Sequence, residues 1–326
     1  MILSIVAVIG GFAVLVWSAD RFVVGAAALA RNHGVSPLII GLTIVGFGTS
    51  APEILVSAIA AWNGSPGVGI GNAIGSNITN VGLVLGATAL VTPLAVRSET
   101  LKREFPILFA IMLLVLVLLL DRTLSRIDGI ILVSGLAVML YWLVSIGLRS
   151  RGRDPMVTEY AEVLPTDVSS GMATIWLVVG LAFMLLSSQA VVWGATAIAK
   201  YFGISDLVIG LTIVALGTSL PELAASITSA VKKEHDIAIG NVLGSNMFNL
   251  LAVLGLPGLI SPAKLDPELL SRDLPVMIGM TIALFAMSFG FGRQGKISRL
   301  EGAILLGSYL LYMGWLYSSS IATHRF

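Results

Sequence analysis

The chain has 326 residues, 56% of them hydrophobic and only 11% charged, where soluble domains carry about 25% charged residues. A mean hydropathy of +0.97 excludes an ordinary water-soluble globule, and a net charge of +1 with no basic patch clear of the apolar runs excludes a nucleic-acid partner. The 35 glycines suit membrane helices, and the lack of cysteine excludes disulfides, thiolate metal sites and a cysteine nucleophile.

A membrane helix needs about 20 mostly apolar residues. In chain order such stretches run near 2–30, 36–62, 69–93, 104–120 and 126–148, then near 173–200, 206–231, 237–261, 273–292 and 298–320. The first lacks a basic flank and reads as a span rather than a cleaved leader. It also carries Asp20 and Arg21, whose adjacency suggests a structural or entrance pair. The only long polar stretch, Ser150–Gly171, reads as a linker too short to fold alone. The predicted organisation is a first half at 1–148, a cytoplasmic linker at 149–172 and a second half at 173–326. Lys and Arg concentrate on cytoplasmic segments. With the N-terminus outside, twelve fall on the cytoplasmic side (Arg31, Arg97, Lys102, Arg103, Arg149, Arg151, Arg153, Lys232, Lys233, Arg293, Lys296, Arg299). Six fall opposite (Arg122, Arg126, Lys200, Lys264, Arg272, Arg325), so both termini are expected outside a multi-pass cell membrane.

The sequence repeats itself. LIIGLTIVGFGTSAPE (38–53) and LVIGLTIVALGTSLPE (207–222) agree at twelve of sixteen positions at an offset of 169. The same offset aligns IGNAIGSNITN (70–80) with IGNVLGSNMFN (239–249), and Arg103 and Pro106 with Arg272 and Pro275. After a four-residue gap, SRIDGIILVSG (125–135) matches SRLEGAILLGS (298–308). Chance could match Leu and Ile, but not Gly, Thr, Ser, Pro, Glu and Asn in register. Five spans per copy is an odd number, so the second copy enters the membrane from the opposite side. The fold class expected is an all-α integral membrane protein, ten transmembrane helices arranged as two inverted-topology five-helix repeats. Such repeats place a transport site near the midplane, in interrupted helices.

Glu53 and Glu222 lie inside apolar spans, where an ionisable residue costs roughly 2.5–3.5 kcal/mol on insertion scales. A buried Lys or Arg partner would explain them, but none lies in spans 2, 3, 7 or 8, and the nearest deep cation, Arg21, already neighbours Asp20. Thr49 and Ser50 precede Glu53 by four and three residues, on its helical face, as Thr218 and Ser219 do for Glu222. Gly46, Gly48 and Pro52, with Gly217 and Pro221, favour a break in each helix. The second motif adds Ser76, Asn77 and Asn80, matched by Ser245, Asn246 and Asn249. Asn80 and Asn249 are the better placed to line a site; Asn72 and Asn241 rank below them. Two carboxylates, hydroxyls, amides and carbonyls, with no His or Cys, suit a hard cation such as Ca²⁺ or Na⁺ rather than zinc or copper. No HExxH motif or nucleophile elbow supports an enzyme.

GTSAPE with GNAIGSNITN, and GTSLPE with GNVLGSNMFN, resemble the paired alpha repeats of the sodium/calcium exchanger family. The overall form resembles its small prokaryotic members, without calcium-sensing domains. The resemblance implies an antiporter exchanging Ca²⁺ for Na⁺ by alternating access, with Glu53 and Glu222 as shared ligands and no cofactor. It implies oxygens from Thr49 and Thr218, sodium sites completed by Ser50, Ser219, Ser76 and Ser245 with the carbonyls of Gly46 and Ala215, and a centre closed by Asn80 and Asn249. Potassium-dependent relatives carry Asp where Asn249 stands, which argues against potassium dependence. Proton/calcium exchangers typically lack the Ser that follows each Thr, so Ser50 and Ser219 favour sodium; H⁺ is the alternative coupling ion. The partners implied are these ions and the lipid bilayer, and both a monomer and a homo-oligomer fit the sequence.

Overall fold

The computed structural model describes residues 1–35, 40, 46–96, 99–149, 168–289 and 295–323. Residues 150–167 of the predicted linker, most of the LIIGLTIV run, and Arg97, Arg151, Arg153, Arg293 and Arg325 lie outside the described residues. The helices are α1 (Ile2–Asn32), α2 (Gly46–Thr49), α3 (Ala51–Trp62), α4 (Pro66–Val91), α5 (Glu99–Leu119) and α6 (Arg126–Arg149). After the linker come α7 (Ser170–Phe202), α8 (Asp206–Thr218), α9 (Leu220–Val231), α10 (His235–Ile260), α11 (Leu269–Phe289) and α12 (Arg299–Thr323). Six of these (α1, α4, α6, α7, α10 and α11) are long and apolar enough to cross a membrane. The pair α8–α9, bent by 41°, adds a seventh if it is one span. The apolar stretches Ala51–Trp62 and Glu104–Leu119 are shorter, and α12 carries Tyr309, Tyr312, Trp315 and Tyr317.

Local chemistry sets the helix ends. Ser169 caps α7 by accepting the Met172 N–H at 3.3 Å. Gly203 ends α7 at φ +67°, a left-handed geometry that glycine adopts without a Cβ clash. Ser205 then caps α8 through the Val208 N–H at 3.3 Å. At 31 and 33 residues, α1 and α7 exceed what a bilayer core needs.

These two helices pack antiparallel through glycines. A Cβ on Gly25 would fall 2.6 Å from the Ala173 carbonyl, and one on Gly194 2.6 Å from the Ser4 carbonyl. The end of each therefore lies against the start of the other, at a separation only small residues permit. Their apolar faces, with Val56 and Ala60 of α3 and Val68 of α4, form one buried cluster. A separate, larger cluster joins α4, α5, α10, α11 and α12. Within it α4 and α10 are central: 78% and 94% of their most apolar eighteen-residue stretches are buried, against 28–44% for α1, α6, α7 and α11.

The all-helical expectation needs one correction. Two short antiparallel ladders join loops at helix ends, where strand pairing satisfies backbone groups that no helix covers. Strand β1 (Leu94–Val96) pairs with β4 (Gly295–Ile297), and β2 (Thr123–Leu124) with β3 (Ala263–Lys264). At the repeat offset β3 is the counterpart of β1 and, after the four-residue gap, β4 is the counterpart of β2. Each ladder thus joins a loop of one copy to the non-equivalent loop of the other.

Candidate cation site

Both GTSxPE motifs fold into the same broken helix. Thr49 ends α2 and Thr218 ends α8; Ser50 and Ser219 form the junctions, with φ −84°, ψ 0° and φ −82°, ψ 5°. Pro52 and Pro221 stand in the first turns of α3 and α9, where proline's missing N–H breaks no helical hydrogen bond. Glu53 and Glu222 occupy the same first turns, at the end of the helix dipole that favours a carboxylate. The junction stays compact: the Ala215 carbonyl still accepts the Ser219 N–H at 3.1 Å, and the Gly46 carbonyl accepts the Thr49 hydroxyl at 3.2 Å.

The second motif brings the copies together. Gly71 of α4 and Gly210 of α8 meet at their backbones, a Cβ on either falling within 2.4 Å of a carbonyl of the other helix. This closeness lets the Asn72 Oδ1 of one copy accept the Thr218 hydroxyl of the other at 3.2 Å. The reciprocal bond is present: Thr49 donates to Asn241 Oδ1, also at 3.2 Å. Asn72 Oδ1 further accepts from Ser76 at 3.2 Å, and its amide donates to the Glu53 carbonyl at 3.2 Å. Ser245 contacts Thr49 at 3.3 Å and donates to Glu222 Oε1 at 3.2 Å. Asn80 donates to Asn246 Oδ1 at 3.1 Å.

π-helical turns begin at Asn80 and at Asn249, spanning Asn80–Leu85 and Asn249–Val253. In the second, the Asn249 carbonyl bonds Leu254 N–H five residues on, at 2.9 Å. Such wide turns interrupt the normal ladder and recur at functional sites.

Oxygen atoms without partners collect here. Glu53 and Glu222 are both 0% exposed. Glu53 faces the hydroxyls of Thr218 and Ser219 and senses the charge of Glu222, yet neither of its carboxylate oxygens closes a hydrogen bond among the described residues. Glu222 Oε2, Ser50 Oγ, Ser219 Oγ, Asn80 Oδ1 and Asn249 Oδ1 are buried in the same condition. Leaving a buried polar group unmatched costs about 1–3 kcal/mol, and more for a charge. A donor set rich in uncommitted oxygens and free of His and Cys fits a hard cation as cargo. Among the described residues no group of three or more His, Cys, Asp or Glu could hold a metal. Any ion here must therefore rely on two carboxylates plus neutral oxygens.

No described Lys or Arg pairs with either Glu. Arg21 lies 3.5 Å from Asp20 and holds its guanidinium 4.9 Å from the centre of the Trp176 ring. Asn72 and Asn241, the weaker candidates by sequence, orient the site threonines across the copies, while Asn77 back-bonds to the Ala73 carbonyl at 3.2 Å. Their duplication was the available signal; which helix each faces was not.

The whole chain was compared with known proteins. A family model described as sodium/calcium exchanger protein matches residues 3–145 and 172–318. An Alkalimonas amylolytica protein provisionally named antiporter CaxA is 50% identical over 98% of this chain and 100% of its own length. The sodium/calcium exchanger MaX1 of Methanosarcina acetivorans is 32% identical over 94% of this chain and 96% of its own. A solved structure of the sodium-calcium exchanger NCX_Mj, soaked with Na⁺ and Sr²⁺, superposes with a TM-score of 0.67 at 33% identity. It covers 96% of this chain and 98% of its own. With its apolar helices and paired motifs, this chain is a membrane antiporter of the sodium/calcium exchanger family.

Proposed function

We propose that the chain exchanges Ca²⁺ for Na⁺ by alternating access around one site shared by Glu53 and Glu222. The observation that carries this reading is the convergence of uncommitted buried oxygens from both copies, Glu53, Ser50 and Asn80 from the first and Glu222, Ser219 and Asn249 from the second. Two carboxylates match the charge of one Ca²⁺ or two Na⁺. An empty site would carry unpaired charge through an occluded state, so loaded forms cross more readily and exchange is favoured over uniport. Thr49, Thr218, Ser76 and Ser245, with the Gly46 and Ala215 carbonyls, complete the proposed ligand set.

The architecture proposed is ten spans in two inverted halves, 1–148 and 173–326, joined by a linker at 149–172, with both termini outside. The antiparallel packing of α1 on α7 and the exchanged pairing of the strands support the inversion. The assignment of α1 and α7 as the part that moves rests on the family resemblance. Proton-coupled exchange through the same Glu pair is the second reading; the buried Ser50 and Ser219 hydroxyls weigh toward sodium.

Calcium flux in proteoliposomes, with sodium, proton and potassium gradients imposed separately, tests the proposal. Uptake driven by the sodium gradient alone is expected. Uptake that follows the proton gradient and ignores sodium would reassign the coupling ion, and single-channel currents would overturn exchange altogether.

A further inference from the structure

A cavity at one end of the molecule reaches the site. It has a volume of about 590 Å³ and runs between α1, α9 and the start of α10. Thr49 and Asn241, the hydrogen-bonded pair at the site, line it, as do Asp20, Thr228, Lys232 and Glu234. In the repeat, Asp20, Thr228, Lys232 and Glu234 correspond to Gln189, Ile59, Asn63 and Ser65. These equivalent positions carry no charge. Ile59 packs on the cluster of α1 and α7, and the Phe12 ring lies so close on Gly217 that a Cβ there would sit 2.1 Å from it.

Asp20 stands near the middle of the 31-residue α1, where a carboxylate facing lipid would be costly. Its side chain is 60% exposed. Arg21, its ion-pair partner among the described residues, is drawn toward the Trp176 face. Asp20 and Glu234 bring two carboxylates to the cavity against one Lys232, and carboxylates in a narrow, low-dielectric cavity focus the field and raise the local concentration of cations, by about 10-fold or more in steered systems.

We propose that Asp20 is a cation-capture residue of the path from the Lys232 end to the Glu53–Glu222 site, and that Gln189 leaves the opposite path without one. The two faces of the exchanger therefore differ in apparent affinity for the same cation. This rests on the exchanger reading, but one of its tests does not.

The chain is cysteine-free, so Thr228→Cys supplies a single thiol in the cavity. Its modification by a cationic and by an anionic thiol reagent of equal size measures the local field without any transport. The cationic reagent should be favoured, and Asp20→Asn should lower the cation-to-anion rate ratio about 5- to 10-fold, while Asp20→Glu preserves it. In proteoliposomes, with the Lys232 face marked by impermeant labelling of Lys233→Cys, Asp20→Asn should raise the KM for calcium about 3- to 10-fold from that face. From the other face KM should stay within about 2-fold, as should kcat. Gln189→Glu should lower KM from the opposite face, which keeps the proposal open to refutation if the Asp20 variants fold poorly. An unchanged rate ratio, or equal KM changes from both faces, overturns it. Failure of wild-type calcium flux with the rate ratio as expected would instead sink the exchanger reading.

Discussion

Two sets of buried carboxylates in this protein are treated in opposite ways. At the start of α11, Asp273 is 0% exposed and fully matched. Arg272 donates to it at 2.7 and 3.2 Å, and the Tyr312 hydroxyl at 2.8 Å. Arg272 is also paired with Glu268 and bonded to Ser319, so the cluster ties α11 to α12. Glu53 and Glu222 are as deeply buried, yet no described arginine pairs with them; both Glu53 oxygens and Glu222 Oε2 lack a partner among the described residues, and Glu222 Oε1 accepts only the Ser245 hydroxyl. Burial alone therefore does not mark function. A carboxylate with its own cation fastens helices; under the proposed function, one without a cation is left to receive the transported ion.

Substitution should separate the two sets most sharply. Glu53→Gln or Glu222→Gln is expected to abolish exchange, at least about 100-fold in flux, while the protein remains folded in the membrane. Asp273→Asn should instead cost about 3–5 kcal/mol of stability by leaving Arg272 buried without its partner. That loss reads out as a lower unfolding midpoint, with ion selectivity kept in the molecules that fold. The paired change Arg272→Met with Asp273→Leu should recover most of that loss, because removing both charges of a buried pair is often near neutral. If Asp273→Asn silenced exchange without destabilising the protein, the distinction between the sets would fail.

A cation that binds only the folded site adds about 2.7 kcal/mol at 100 times its Kd. Calcium should therefore raise the unfolding midpoint of the wild type and of Asp273→Asn, but not of Glu53→Gln. The smallest effect is expected at the junctions. Ser50→Ala or Ser219→Ala removes one neutral oxygen, about 1 kcal/mol. The apparent sodium affinity should weaken about 5-fold, with calcium affinity less affected.

Much of the site was legible because the sequence states it twice. Duplication lifted Glu53, Thr49 and Ser50 above chance as candidates, and the odd number of apolar stretches per copy is what led to the proposed inversion. Features that depend on how helix faces meet were not legible. The crossed bonds Thr49–Asn241 and Thr218–Asn72 exist because Gly71 and Gly210 bring two backbones together, and no spacing rule links residues 146 and 192 apart. The β1–β4 and β2–β3 ladders involve two or three residues each, too few for any alternating pattern to announce them. The cavity beside Asp20 was equally hidden, since it depends on how α1, α9 and the start of α10 meet in space.

Direct binding of calcium to the purified protein, in competition with sodium, tests most simply whether Glu53 and Glu222 form one site. One Ca²⁺ per chain, displaced by Na⁺ and lost in Glu53→Gln and in Glu222→Gln taken singly, is the expected result. Retention of full calcium binding in either single variant would contradict the shared site.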